Sequence, residues 1–232
     1  MSRTRARIVE QRDRIVRRAR RNHDRTESLA ILAPLLQPYT PWSSSAMTPI
    51  AIRELCNDVV VNDRRSILEL GAGVSSIVLC RLADQLDLDV RINSVDEDEG
   101  WLDRVGAIMS PAERARWRPI YAPMTSGRLR DGSHFGRWYD AEIVGDALTD
   151  PLDLVVCDGP SAYTPEWRDD RFTALGFSKD LLVERHAVLI DDTNRAAERR
   201  LARTWAAATP GSYFVDRSSH CWILAGGSMN FS

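Results

Sequence analysis

Ser66-Ile67-Leu68-Glu69-Leu70-Gly71-Ala72-Gly73-Val74-Ser75-Ser76 joins a short apolar run to an acid, a Gly-x-Gly turn and small residues. A strand feeding such a turn at a helix start brings backbone N–H groups and the positive end of the helix close to a ligand. Further on, Ile92-Asn93-Ser94-Val95-Asp96 reads as a second strand ending in an acid, placed to accept hydrogen bonds from a ribose diol. The chemistry implied is nucleotide binding. A second set of residues is acidic. Leu152 to Cys157 ends at Asp158-Gly159-Pro160, and Ala187 to Ile190 ends at Asp191-Asp192-Thr193-Asn194. Neighbouring strands would aim Asp158, Asp191 and Asp192 at one spot, where like charges push at least one to protonate. A hard divalent cation resolves the clash, and oxygen ligands favour Mg²⁺, with Mn²⁺ or Ca²⁺ as substitutes. The competing account is N-capping: Asp158 could open a turn, and Asp192 or Thr193 could cap the helix beginning at Arg195. Asp191 has no such role.

These residues need a scaffold. Strands are predicted at 66–70, 90–95, 118–121, 152–157, 187–191, 212–216 and 220–225. Helices are predicted at 50–60, 75–86, 98–109, 170–184 and 195–208. Alternation implies a mainly parallel α/β sheet closed by a hairpin, with an antiparallel last strand. Ligands of such sheets bind at the carboxyl ends of the strands. Three loops lie there. The Tyr39-to-Pro49 loop, rich in hydroxyls and prolines, precedes the first strand and can fold over a cofactor, with Ser45 as a contact. The stretch from Pro123 to Asp150 is long for a crossover and carries His134, Trp138 and Tyr139, suited to a carbohydrate platform or lid. His134 reads equally as a general base and as an exposed lid residue. The Ser161-to-Asp170 loop adds Tyr163 and Trp167 as a second wall, and a further turn follows Tyr121.

Residues 3 to 25 hold ten arginines among apolar residues at helical spacing, a basic amphipathic helix. It reads as a solvated helix, a dimer arm, a clamp on an anionic partner or a membrane-surface helix. The remaining composition is that of an ordinary soluble chain of 232 residues, 44% hydrophobic and 28% charged, with net charge −2 and hence no global nucleic-acid signature. Cys56, Cys80, Cys157 and Cys221 have no metal-ligand or Cys-x-x-Cys spacing and read as buried thiols in a reducing cytoplasm. No apolar run is long enough to cross a membrane.

The glycine turn separates two nucleotide readings. A dinucleotide fingerprint wants a third glycine, where Ser76 stands. Glu69-x-Gly71-x-Gly73-x-Ser75 instead resembles the first motif of class I S-adenosylmethionine (SAM) methyltransferases. That resemblance implies a Rossmann-like, doubly wound, seven-stranded domain over 39–232 behind a helical extension over 1–38. It implies SAM held by Ser45, Glu69, Gly71, Gly73, Ser75, Ser76, Asp96, Tyr121 and Asp158. Asp158 with Asp191-Asp192 resembles the Mg²⁺-dependent sugar O-methyltransferases of macrolide and aminocoumarin biosynthesis. Trp138-Tyr139-Asp140, Asp158-Gly159-Pro160 and Asp191-Asp192-x-x-Arg195 are similar to methyltransferases of polysaccharide and glycolipid clusters, among them the 1-O-methyltransferases of methylmannose polysaccharides. The resemblance implies a metal on Asp158, Asp191 and Asp192, His134 or Asp158 as base, a sugar against Trp138, Tyr139, Tyr163 and Trp167, and a homodimer. The alternatives are a catechol-like small-molecule O-methyltransferase and a SAM-binding module docking on nucleic acid through the basic helix.

Overall fold

The computed structural model describes residues 3–129, 132–162, 164–217 and 219–230, with backbone alone for 3–11, 13–15, 17–18, 21, 134 and 135. Nine strands are named in chain order: β1 (Ser66–Leu70), β2 (Arg91–Asp96), β3 (Trp117–Tyr121), β4 (Met124–Arg128), β5 (His134–Tyr139), β6 (Leu152–Cys157), β7 (Leu182–Ile190), β8 (Tyr213–Asp216) and β9 (Cys221–Leu224). Seven of them form one sheet in the order β3-β2-β1-β6-β7-β9-β8. The first five run parallel, and β9 is antiparallel to both β7 and β8. From β1 the chain first moves outward through β2 to β3, then returns to place β6 on the other side of β1. The switch point between β1 and β6 is where an open sheet of this kind leaves a crevice.

Alternation along the strands divides the core in two. Ile67, Leu154, Val156, Leu189 and Trp222 face one side, and Leu68, Leu70, Val155, Val188 and Ile223 face the other. The first face is covered by α2 (Pro49–Val61) and α3 (Val74–Gln85), together with side chains of α4 (Glu99–Ile108). The second is covered by α6 (Ala141–Ala147), α7 (Thr173–Ser178) and α8 (Ala196–Ala208). Local chemistry starts each helix where the sequence allows. Thr48 accepts from the Ala51 N–H ahead of Pro49, and Asp98 accepts from the Trp101 N–H at 2.9 Å. A four-residue helix, α5 (Pro111–Arg114), opens on a Ser110/Glu113 capping box.

The predicted strands all form, within a residue or two at most ends. Two expectations need correction. The expected helix at 170–184 is a 3-10 turn (Asp170–Phe172) and the short α7, after which β7 starts at Leu182. Helical propensity there loses to pairing, because Leu152 is in register with Leu182, with an irregularity before Leu154 meets Ala187. The expected loop at 123–150 is a separate two-stranded sheet, β4 with β5, followed by α6 capped by Asp140.

At the N-terminus α1 (Arg3–Leu32) is one continuous helix, followed by a 3-10 turn at Ala33–Leu36. Arg81 of α3, only 1% exposed, fastens the chain that follows. Its guanidinium donates to the Leu35 carbonyl (2.9 Å), the Pro38 carbonyl (3.4 Å) and the Thr40 hydroxyl, and its Nε lies 3.4 Å from Glu113. Among the described residues no helix is long and apolar enough to cross a membrane. The four cysteines are buried and unpaired.

Candidate active site

Each strand next to the switch point ends in a turn tied to its neighbour. Gly71 N donates to Val95 O (2.9 Å), Asp158 N to Leu70 O (3.0 Å), and Asp191 N to Cys157 O (3.1 Å). The acids at these ends therefore sit at one edge of the sheet. Gly71 has φ +91°, a left-handed conformation that favours glycine. A Cβ on Gly159 would stand 2.2 Å from Tyr139 Oη and 2.7 Å from Gly71 N, so two glycine turns meet with no room for a side chain.

Above this contact lies a cleft of about 620 Å³. Its floor is Gly71, Ala72, Gly73 and Ser75, and one wall is Asp96, Glu97, Asp98 and Trp101. Ser45, Trp42 and Tyr39 come from the hydroxyl-rich loop, while Tyr139, Asp158, Ser161 and Arg171 close the side toward β6. Of the residues expected to bind a nucleotide, Ser45, Gly71, Gly73, Ser75, Asp96 and Asp158 are brought together here.

Glu69 and Ser76 lie beneath the floor instead. Both are fully buried, and neither lines the cleft. Ser76 Oγ accepts from Gly73 N (2.9 Å) and donates to Glu69, which also accepts from Ser94 Oγ (2.6 Å). Trp117 Nε1 donates in turn to Ser94 Oγ at 2.9 Å. Burial pushes the Glu69 carboxyl up to about 7, against the pull of the serine hydroxyls. This acid acts as a brace for the turn. Asp96, by contrast, faces the cleft while its two oxygens accept from Ala72 N and Asp98 N, each at 3.0 Å. Each oxygen keeps lone-pair capacity for a ligand. Burial raises its carboxyl to about 6, with Glu97 and Asp98 adding to the rise and the two N–H groups opposing it.

The acidic residues of the adjoining turns converge as their spacing implied. Oxygens of Asp158, Asp191 and Asp192 all lie within 4.8 Å of one another. Asp191 is 5% exposed, and its Oδ1 has no hydrogen-bond partner. Burial first, then the charges of Asp158 and Asp192, hold its carboxyl far above the usual range. Asp158 is raised by burial, with Arg171 opposing. Asp192 adopts φ +58°, an uncommon conformation for a residue with a side chain.

Arg171 is the participant that the sequence reading missed. Buried on the 3-10 turn, it lies 3.6 Å from Asp158 Oδ1 and 3.3 Å from Asp192 Oδ2, and it donates to the carbonyls of Pro160 (3.1 Å) and Asp158. No local signal marks it, since its position depends on how the 161–170 segment folds back. Arg195 pairs with Asp192 and with Glu198 (3.1 Å). Two cations thus attend Asp158 and Asp192, and neither is paired with Asp191. The N-capping account finds no support at Asp192, because α8 starts after Arg195 with no side-chain cap.

Other expected residues are placed elsewhere. Trp138 is fully buried against Phe177 and Tyr139 in the core and lines no part of the cleft. The hairpin packs down on the sheet and takes both Trp138 and its neighbour Tyr139 into the core. Tyr121 lines a neighbouring cavity with Trp117 and Leu102, outside the cleft. Trp167 is half-exposed under the Arg137 guanidinium, 4.1 Å from the ring centroid, and is not part of the cleft lining. The side chain of His134 and all of Tyr163 lie outside the described residues. The backbone of His134 starts β5, five residues and so about 17 Å of extended chain from Tyr139. Trp101 was also missed, although an Asp98 cap three residues earlier is a local sign that would have placed it at the cleft edge.

No family model matches this chain, and no curated protein matches it. Solved structures do. A caffeoyl-CoA O-methyltransferase of Staphylococcus aureus, described as putative, has a TM-score of 0.53 at 13% identity, covering 93% of this chain and 99% of that one. An O-methyltransferase of Bacillus cereus in complex with S-adenosylhomocysteine (SAH) gives 0.51 at 16% identity over 87% and 90% of the two chains. TomG of Streptomyces achromogenes, an O-methyltransferase of tomaymycin synthesis in complex with SAM, gives 0.51 at 17% identity over the same shares. The chain therefore has the Rossmann-like α/β fold found in these O-methyltransferases.

Proposed function

We propose that this protein is a SAM-dependent O-methyltransferase that methylates a hydroxyl of a sugar or oligosaccharide, assisted by a divalent metal. The observation that carries the reading is the position of Asp158, which lines the glycine-floored cleft and also belongs to the acidic trio. A donor site and an acceptor site would meet at this residue.

SAM supplies a methyl group on a sulfonium cation. Asp96 would accept the ribose hydroxyls, and the Gly71–Gly73 floor lets the donor approach the backbone. The acceptor oxygen forms a bond to the methyl carbon while the carbon–sulfur bond breaks, and the hydroxyl proton leaves. Asp158, the member of the trio that lines the cleft, is placed to take that proton. We prefer it to His134, whose backbone lies at the far end of β5. Ser45 and Ser161 offer hydroxyls on opposite sides of the cleft to orient polar substrate groups.

The acidic trio fits a hard cation. Its donors are all oxygens, Asp191 Oδ1 is buried without a partner, and the two arginines leave a formal charge of −1 over the five residues. Asp158, Asp191 and Asp192 would hold Mg²⁺ or Mn²⁺, which when bound would lower the pKa of an acceptor hydroxyl.

Calorimetric titration of SAH into protein stripped with EDTA tests the donor site, and titration of Mn²⁺ into the same protein tests the trio. Binding of both supports the reading. Absence of SAH binding overturns it, and absence of Mn²⁺ binding removes the metal. A screen of sugar against catechol acceptors then decides the substrate class.

The Asp96 carboxyl gives the donor site a pH signature. Below about 6 the folded protein holds a proton on it, and the protonated acid is a poorer acceptor for two ribose hydroxyls. SAH affinity is expected to rise from pH 5 to pH 7 and then level off. In Asp96→Asn it should be weaker by roughly ten- to hundred-fold, from a charged hydrogen bond worth roughly 1.5–3 kcal/mol, and independent of pH in this range. A wild-type affinity that does not change between pH 5 and pH 7 would refute the assignment.

A further inference from the structure

Glu198 belongs neither to the cleft lining nor to the acidic trio, yet it lies one ion pair away from them. It stands in the first turn of α8, 2% exposed, and neither carboxylate oxygen has a hydrogen-bond partner among the described residues. The open end of a helix favours an acid, but that does not satisfy two buried oxygens. The cation beside it is Arg195. One terminal nitrogen of this guanidinium, Nη2, donates a hydrogen bond to Asp192 Oδ2 and also lies 3.1 Å from Glu198 Oε1. The contact with Glu198 is one of charge alone, without hydrogen-bond geometry. The other terminal nitrogen donates to the Ala162 carbonyl at 3.3 Å and keeps the group between the two acids. The outer acid, with 37% of its side chain exposed, is held, and the buried one is left open.

We propose that Glu198 is a positioning residue for the cation site: when a divalent cation occupies the trio, Arg195 leaves Asp192 and hydrogen-bonds to Glu198. The inference rests on the metal reading above. A cation held by Asp192 repels a guanidinium on the same carboxylate, and without Glu198 that guanidinium has no acid to move to. Glu198 is already desolvated by the fold, so accepting Arg195 adds no burial cost and satisfies its empty oxygens. The movement is small, because Nη2 already touches both acids. Charge agrees as well. With Glu198 included, four carboxylates face two guanidiniums, a formal −2 that one divalent cation cancels.

The test is a double-mutant cycle on the full chain stripped with EDTA, with Mn²⁺ as the probe. Glu198→Gln keeps the shape of the side chain and should weaken Mn²⁺ binding by about ten-fold, the lower range for losing a residue that orients a metal ligand, with SAH affinity within about two-fold of wild type. In Arg195→Gln, where Asp192 is already free, the same Glu198→Gln change should alter Mn²⁺ affinity by less than about two-fold. A mere loss of negative charge would weaken binding equally in both backgrounds, and that result would overturn the proposal. A crystal structure with Mn²⁺ bound should show the Arg195 guanidinium on Glu198, and one that leaves it on Asp192 would overturn the proposal too. This second measurement needs no variant, so it decides the case even if Glu198→Gln does not fold. Failure of the wild type to bind Mn²⁺ would remove the metal reading itself, and this proposal with it.

Discussion

Gly159→Ala is expected to abolish SAH binding and to lower stability by about 3 kcal/mol or more, the upper range for forcing atoms into a filled site. The added Cβ would lie 2.2 Å from Tyr139 Oη, 2.7 Å from Gly71 N and 2.9 Å from Gly71 Cα. None of these atoms can give way cheaply. Tyr139 is fully buried between the hairpin and the sheet, and Gly71 is backbone held by Val95 O. Separating the two turns would lift the floor of the cleft from below. For a chain of this length the loss corresponds to a fall in melting temperature of roughly 6–12 °C. Gly136→Ala, where a Cβ meets nothing within 4 Å, is the matched control and should stay within about 0.5 kcal/mol of wild type. A Gly159→Ala protein with unchanged melting temperature and SAH affinity would show that the close approach of the turns is dispensable.

Asp191→Asn is expected to do the opposite to stability while removing most turnover. In metal-free protein Asp191 is a buried acid with one unpartnered oxygen beside two other carboxylates. An amide at this position removes the charge and offers N–H donors to Asp158 and Asp192. The expected gain is about 1–3 kcal/mol, the cost of a buried unsatisfied polar group. The sign of its pH dependence follows from linkage. The folded-state pKa is raised above the unfolded value, so wild-type stability falls as pH rises through the folded pKa. The advantage of the variant should therefore be greatest at alkaline pH and vanish below about pH 4, where aspartate is protonated in both states. Methyl transfer should drop by about a hundred-fold or more if the trio holds a Lewis acid, since several kcal/mol of stabilisation are at stake. Thermal melts in EDTA across pH, with turnover in saturating Mg²⁺, check both halves. A variant that is more stable and equally active would reduce the trio to a structural oddity.

Much of this architecture was legible because it rests on short-range rules. Mostly apolar runs such as Leu152–Cys157, broken only by Asp153, and Ala187–Ile190 read as central strands, and each is followed by an acid that marks the carboxyl edge. The parallel order followed from helices between strands. What escaped is governed by long-range packing. The β4–β5 hairpin carries Gly127, Gly132 and Gly136, weak strand formers, and owes its form to Trp138 and Tyr139 seating in the core. Aromatics there looked like a sugar platform because composition does not tell which way a strand faces. Glu69 reads as a ligand contact only through the resemblance of its glycine motif, yet the serines at 76 and 94 draw it under the turn. Arg171 could not be placed from spacing, since it lies thirteen positions beyond Asp158, past a 3-10 turn at Pro165–Trp167 that the sequence does not announce.

The buried guanidinium of Arg81 bears on modularity. A boundary drawn at residue 38 assigns Leu35 and Pro38 to an appendage and Thr40 to the α/β domain, yet one side chain of α3 holds all three. Cutting there would strand a cation in the interior with two of its carbonyl acceptors gone. The loop bearing Trp42 and Ser45, which follows directly, would lose its anchor at the same stroke. The arm and the cleft are thus fastened as one piece: a graft of this loop onto another scaffold would need an arginine on the facing helix to hold it.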